Sequence, residues 1–171
     1  NQITAEYGPL GRATKYTYDA NGNRNSIVDF QGNTTIIEYD QTWNKPTKIT
    51  NALGNITTLA YDAKGNLVSI TNPENETAIF TYNTQGKLAS VTDPLGHATR
   101  FEYYTDGNLI KTTDALGRTT QRKYDSANRL IEAIDGRGRS SQYNYDVLNR
   151  TTALLDALGN TTQFSYDAKD N

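Results

Sequence analysis

The chain has 171 residues, with 17 Lys and Arg against 19 Asp and Glu, and a formal net charge of −2. It contains no Cys and a single His, His97, which excludes disulfides, zinc–thiolate sites and Cys nucleophiles and leaves a Ser-His-Asp triad only one base. Charges of both signs are interspersed, which argues against nucleic acid as a partner, and no run of about 18 apolar residues spans a membrane.

Leu, Ile, Val and Phe make up a little under one fifth of the residues, close to a disordered composition. Near-zero net charge, 12 Tyr and abundant Thr oppose disorder and suit a pleated, half-buried surface. These features predict β-sheet with a thin core.

In chain order, Gly11 begins a series of turn glycines, and the next strand ends at Tyr18. Asp19 follows it and starts the next turn. The Tyr recurs at Tyr39, Tyr61, Tyr82, Tyr103, Tyr124, Tyr145 and Tyr166, a period of about 21 residues with one step of 22. Asp follows it at Asp40, Asp62, Asp125, Asp146 and Asp167, with Asn83 and Tyr104 in the other two repeats. Half a period later stands a second series: Asp29, Asn51, Asn72, Asp93, Asp114, Asp135 and Asp156. Three residues on come Gly32, Gly54, Asn75, Gly96, Gly117, Gly138 and Gly159.

Both series carry turn chemistry. Asp or Asn at the first turn position bonds the backbone two residues on. Pro94 presets the second position in "DPLG". Gly, or Asn at 75, 128 and 149, takes the positive φ that closes the hairpin. The strand before each Tyr alternates, so Phe80 and Tyr82, Phe101 and Tyr103, Tyr143 and Tyr145, and Phe164 and Tyr166 share one face. Thr14, Thr35, Thr57, Thr99, Thr120 and Thr162 extend that face. The following strand has apolar residues three apart, such as Leu67 and Ile70 or Leu88 and Val91. This odd offset predicts a bulge or a core on both faces. The longer step at Trp43–Pro46 predicts a distorted turn. Fifteen or sixteen strands follow, a continuous meander too wide to stay flat, which predicts a coiled, spiral or solenoid-like sheet. Residues 1–171 read as one array of about eight repeats.

"YDAKGNLVSITNPENETAIFTYN" and "YNTQGKLASVTDPLGHATRFEY" resemble consecutive Rhs or YD repeats, and the likeness covers essentially the whole chain. That family includes bacterial Rhs and wall-associated polymorphic toxins, the C subunits of insecticidal toxin complexes, and teneurins. The resemblance implies a segment of a longer β-shell that encloses a toxin or other passenger. It also implies a secreted or cell-surface location, with bacterial export and the targeting signals outside this segment. Neither the family's self-cleaving region nor a toxin domain is recognisable in the sequence.

The candidate residues favour scaffold over chemistry. Acid–base catalysis needs groups that converge at one place, and the Tyr-Asp pairs are spread along a sheet. "DANGNRNSIVD" has Arg24 and Phe30 where a calcium loop needs Gly and Glu. The basic stretch "GRGR", near Arg118, Arg122 and Lys123, reads as a solvated face or a partner contact. His97 reads as a surface residue. Trp43 reads as local packing or, in an adhesion module, as a platform for a sugar ring. No catalytic residue, cofactor or metal is expected. The expected partners are adjacent repeats, the passenger, a second copy through edge strands and, on the adhesion reading, carbohydrate.

Overall fold

The computed structural model describes residues 2–167. It contains sixteen strands: β1 (Ala5–Tyr7), β2 (Ala13–Tyr18), β3 (Arg24–Val28), β4 (Thr34–Tyr39), β5 (Pro46–Thr50), β6 (Ile56–Tyr61), β7 (Leu67–Thr71), β8 (Thr77–Tyr82), β9 (Leu88–Thr92), β10 (Ala98–Tyr103), β11 (Leu109–Thr113), β12 (Thr119–Tyr124), β13 (Leu130–Ile134), β14 (Ser140–Tyr145), β15 (Thr151–Leu155) and β16 (Thr161–Gln163). A 3-10 turn at Pro9–Gly11 is the one other element among the described residues. Strand order in the sheet follows chain order from β1 to β16, so the chain is the all-β antiparallel meander that the repeat implied.

The chain divides into two compact units. One holds the residues up to 81 together with 92–95, and the other holds 82–91 together with 96 onward. In the first, the ladders run from β1–β2 to β7–β8, and in the second from β10–β11 to β15–β16.

Most of the hairpin turns use the same backbone. In the turn at Asp62, the Asp62 N–H donates to the Asn66 carbonyl and the Gly65 N–H donates to the Asp62 carbonyl, both at 2.9 Å. Gly65 has φ +80°, the left-handed region that costs a Cβ-bearing residue energy. Asn75, Asn128 and Asn149 take that position with φ of 64°, 62° and 66°, as expected of the best non-glycine residue there. The longer turn after Tyr39 is distorted as its spacing implied. It closes from Asp40 N–H to the Lys45 carbonyl, with Asn44 at φ 50°.

The odd apolar offset resolves into a bulge. Ala60 pairs with Ser69 and Tyr61 with Leu67, so the ladder skips Val68. The same shift skips Asn25, Thr47, Ile110, Ile131 and Thr152. Each bulge returns the strand after a Tyr to the face it would otherwise have left.

The thin core turns out to be thinner than composition implied. Among the described residues no hydrophobic side chain is fully buried. Gly65 is the one buried residue among them. In β2 the outward Lys15 and Thr17 are exposed while Thr14, Tyr16 and Tyr18 are half-buried. Thr120 and Thr162, expected on that same half-covered face, are exposed. Apolar side chains are covered by cross-strand neighbours only, so cross-strand pairs are the unit of stability.

Candidate functional site: the Tyr-Asp corners

Each corner is built by a strand end that delivers a Tyr and a turn that captures an Asp. Asp62 Oδ1 accepts the N–H groups of Lys64 at 2.8 Å and Asn66 at 2.9 Å. Its Oδ2 accepts the Asn66 side-chain amide at 3.0 Å. That amide, then the Asn66 and Lys64 backbone N–H groups, holds the carboxyl below its ordinary range. Tyr61 donates its hydroxyl to the Pro46 carbonyl at 2.9 Å. Partial burial, with Asp40 nearby, pushes that phenol above its ordinary value. The two groups that stand side by side in sequence therefore face different partners, and neither is poised to exchange a proton with the other.

The same phenol bond recurs fifteen residues back in chain order. Tyr18 donates to the Ile3 carbonyl at 2.7 Å, Tyr39 to Arg24 at 2.8 Å, and Tyr124 to Leu109 at 3.1 Å. Tyr145 donates to Leu130 at 2.8 Å and Tyr166 to Thr151 at 2.6 Å. Tyr82 and Tyr103 end β8 and β10 in the same way. Asp19, Asp40, Asp125 and Asp146 open turns as Asp62 does, and Asp167 follows Tyr166 just past β16. Gly32, Gly54, Gly96, Gly117, Gly138 and Gly159 sit at the opposite ends of the strands, with φ between 78° and 88°. Within each unit, strand ends at one margin carry the Tyr-Asp pairs and strand ends at the other carry these glycines.

One set of residues was missed in the sequence: those four positions after the turn Asp. Arg129 Nε donates to Asp125 Oδ2 at 2.7 Å, and its terminal nitrogen donates to the Asp146 carbonyl at 3.0 Å and Asn149 Oδ1 at 2.9 Å. Its guanidinium lies 4.9 Å from the centre of the Tyr145 ring. Arg150 repeats the pattern, bonding Asp146 at 2.7 Å and lying 4.5 Å from the Tyr166 ring. Lys45, five residues after Asp40 in the longer turn, lies 5.6 Å from the Tyr61 ring, and Lys87, four after Asn83, lies 5.7 Å from the Tyr103 ring. These residues tie one corner to the next. The signal was present as polarity matching. Asn or Arg stands four after most turn aspartates, whereas Asn72 is followed at that distance by Glu76, whose Oε2 accepts the Asn72 amide at 2.9 Å. Where Tyr104 replaces the Asp, Asp106 supplies the carboxylate and accepts the Asn108 N–H at 3.0 Å.

Trp43 is 43% exposed, and its ring covers the next corner. A Cβ at Gly65 would lie 2.8 Å from that ring, and Lys45 Nζ donates to the Gly65 carbonyl at 2.5 Å. On the other margin, turn leucines project into solvent: Leu10, Leu53, Leu95, Leu116 and Leu158 are 78% to 92% exposed. Among the described residues, no group of three His, Cys, Asp or Glu is placed to hold a metal ion, and no helix is long and apolar enough to cross a membrane.

A family model described as Teneurin YD-shell matches residues 2–121 and 47–171. No curated protein matches the sequence. Among solved structures, the fold is similar to that of a TcdB2-TccC3-Cdc42 complex, with TM-score 0.70 and 18% identity, covering 90% of this chain and 9% of that one. A TcdB2-TccC3 structure matches equally, at TM-score 0.70 and 18% identity over 90% of this chain and 10% of that one. The Photorhabdus luminescens Tc holotoxin pore matches at TM-score 0.69 and 17% identity, over 89% of this chain and 9% of that one. The chain therefore spans about a tenth of the length of the structures it resembles.

Proposed function

Because the chain belongs to the teneurin YD-shell family, we propose that it is a non-catalytic wall segment of a longer shell that encloses a toxin or other passenger domain. The observation that carries this reading is the chain of corner contacts. Corner Tyr hydroxyls are spent on carbonyls of the preceding hairpin, turn carboxylates on N–H groups of their own turn, and Arg129 reaches the next corner. Such a unit needs neighbours to be stable and extends by repetition, which suits a wall. On this reading the parent is secreted or displayed at a cell surface, and the isolated chain self-associates through its edge strands.

Limited proteolysis of the intact parent tests enclosure. A protease site engineered into the passenger should resist cleavage in the native parent and be cut once the shell is opened by urea. Equal cleavage in both states defeats the proposal. A carbohydrate-binding adhesion module is the second reading, motivated by the exposed part of the Trp43 ring. Glycan-array binding that disappears in Trp43→Ala would favour it.

A further inference from the structure

Two residues before each corner Tyr, the strands carry Tyr16, Ile37, Leu59, Phe80, Phe101, Arg122, Tyr143 and Phe164. Seven of the eight are aromatic or aliphatic, and the eighth is an arginine. Arg122 pairs with Ala133 across the β12–β13 ladder, and Ala133 with Ser141 across β13–β14. It is half-buried. The other half-buried or ring-stacked cations have visible work. Arg129 and Arg150 hold turn aspartates, and Arg24 lies 4.1 Å from the Tyr16 ring. Among the described residues Lys15, Lys64, Arg100, Arg122 and Arg137 have no side-chain hydrogen bond, ion pair or ring contact, and Arg122 alone of these is not exposed.

Arg122 faces an open depression of about 390 Å³ that is also lined by Thr120, Ser141, Tyr143, Ala133 and Ala157. Asp135 and Arg139 lie at its rim but neutralise each other, with Arg139 nitrogens 2.6 and 2.7 Å from Asp135 Oδ2. The depression therefore holds one uncompensated positive charge beside hydroxyl donors and an aromatic ring. A half-buried arginine without a partner gives up stability that an apolar residue at this column would keep. Local rules are broken in this way where a protein keeps a residue for binding.

We propose that Arg122 is the anchor of a binding site for a single carboxylate. The planar guanidinium fork matches a carboxylate bidentately. One unpaired cation balances a monoanion, whereas a phosphate dianion would leave excess negative charge beside Asp135. The carboxylate comes either from an acidic side chain of a bound polypeptide or from a free organic acid. This site is independent of the shell reading and of the corner contacts.

The test uses the whole chain with ¹⁵N-labelled arginine. Titration with acetate, and separately with the blocked peptide Ac-Ala-Glu-Ala-amide, should shift the Arg122 Nε–H signal saturably. A peptide that binds at least tenfold more tightly than acetate assigns the site to a polypeptide side chain. Equal affinities assign it to a free acid. In uniformly ¹⁵N-labelled protein, the same titration should move the Ala133 and Ser141 amides saturably in wild type and not in Arg122→Gln. Arg122→Phe restores the column and should melt about 2–4 °C above wild type, the shift expected of a chain this size for a modest gain in stability. Unsaturable shifts, an unchanged response in Arg122→Gln, or an Arg122→Phe protein that melts at or below wild type overturns the proposal.

Discussion

Gly65 and Gly54 share nearly the same backbone, φ +80° and +81°, and differ in what lies above them. A Cβ at Gly54 meets nothing within 4 Å, while one at Gly65 meets the Trp43 ring at 2.8 Å. Gly54→Ala should therefore cost about 1–2 kcal/mol from the left-handed conformation alone. Gly65→Ala should cost more, and Trp43→Ala in the same chain should remove the excess. Urea unfolding of the three variants and the double mutant measures this. The turn carboxylates make a second residue-scale prediction. Bonds from the Arg139 side chain and from the Arg139 and Arg137 backbones hold Asp135 at about 2, against 3.8 as its ordinary value. A depressed folded-state pKa stabilises the fold above the unfolded value, and that contribution is lost as pH falls through the folded one. The melting temperature should be flat above about pH 5 and fall between about pH 4 and 2. Asp135→Asn should show a shallower fall over that interval.

Corner contacts belong to the hairpin rather than to single residues. Tyr145→Phe removes one hydroxyl bond to the Leu130 carbonyl, and should cost about 0.5–1.5 kcal/mol. A double-mutant cycle between Arg129→Ala and Tyr145→Leu should show about 0.5–1 kcal/mol of coupling from the cation above the ring. Additive effects in urea unfolding would remove the corner-to-corner link from the account. The hairpins themselves were legible because the sequence carries their chemistry locally. Asp62 and Gly65 fix the turn within four residues, and the offset from Leu67 to Ile70 announces the bulge at Val68. The Arg129 contact was not legible in the same way. Its partners Asp146, Asn149 and Tyr145 lie a repeat away, and only the pairing of adjacent hairpins brings them into reach. Trp43 shows the same limit. Sequence placed it at the irregular turn, but its seat on Gly65 depends on how two turns 22 residues apart come side by side.

At the scale of the molecule, each strand's ladder partners are its neighbours in sequence, so stability is a sum of repeat and nearest-neighbour terms. Deleting residues 126–146 removes one 21-residue period and joins Asp125 to Val147, leaving a turn that ends in Asn149 and Arg150. That chain should fold with a lower urea midpoint and unchanged strand content by circular dichroism. Deleting the half-period 126–135 also leaves a possible turn. It carries every later Tyr-Asp corner to the opposite margin, however, and breaks the Tyr145 bond to Leu130. This chain should lose far more stability than the longer deletion. A lower midpoint for the longer deletion would contradict the nearest-neighbour picture. The missing fully buried layer has a thermal consequence as well. The heat capacity change of unfolding tracks the apolar surface newly exposed to water, typically about 12–15 cal/mol/K per residue. A sheet with no fully buried hydrophobic side chain among its described residues should fall below that range in calorimetry. Its stability curve should be correspondingly broad and shallow, so that neither chilling nor moderate warming changes its free energy of unfolding much.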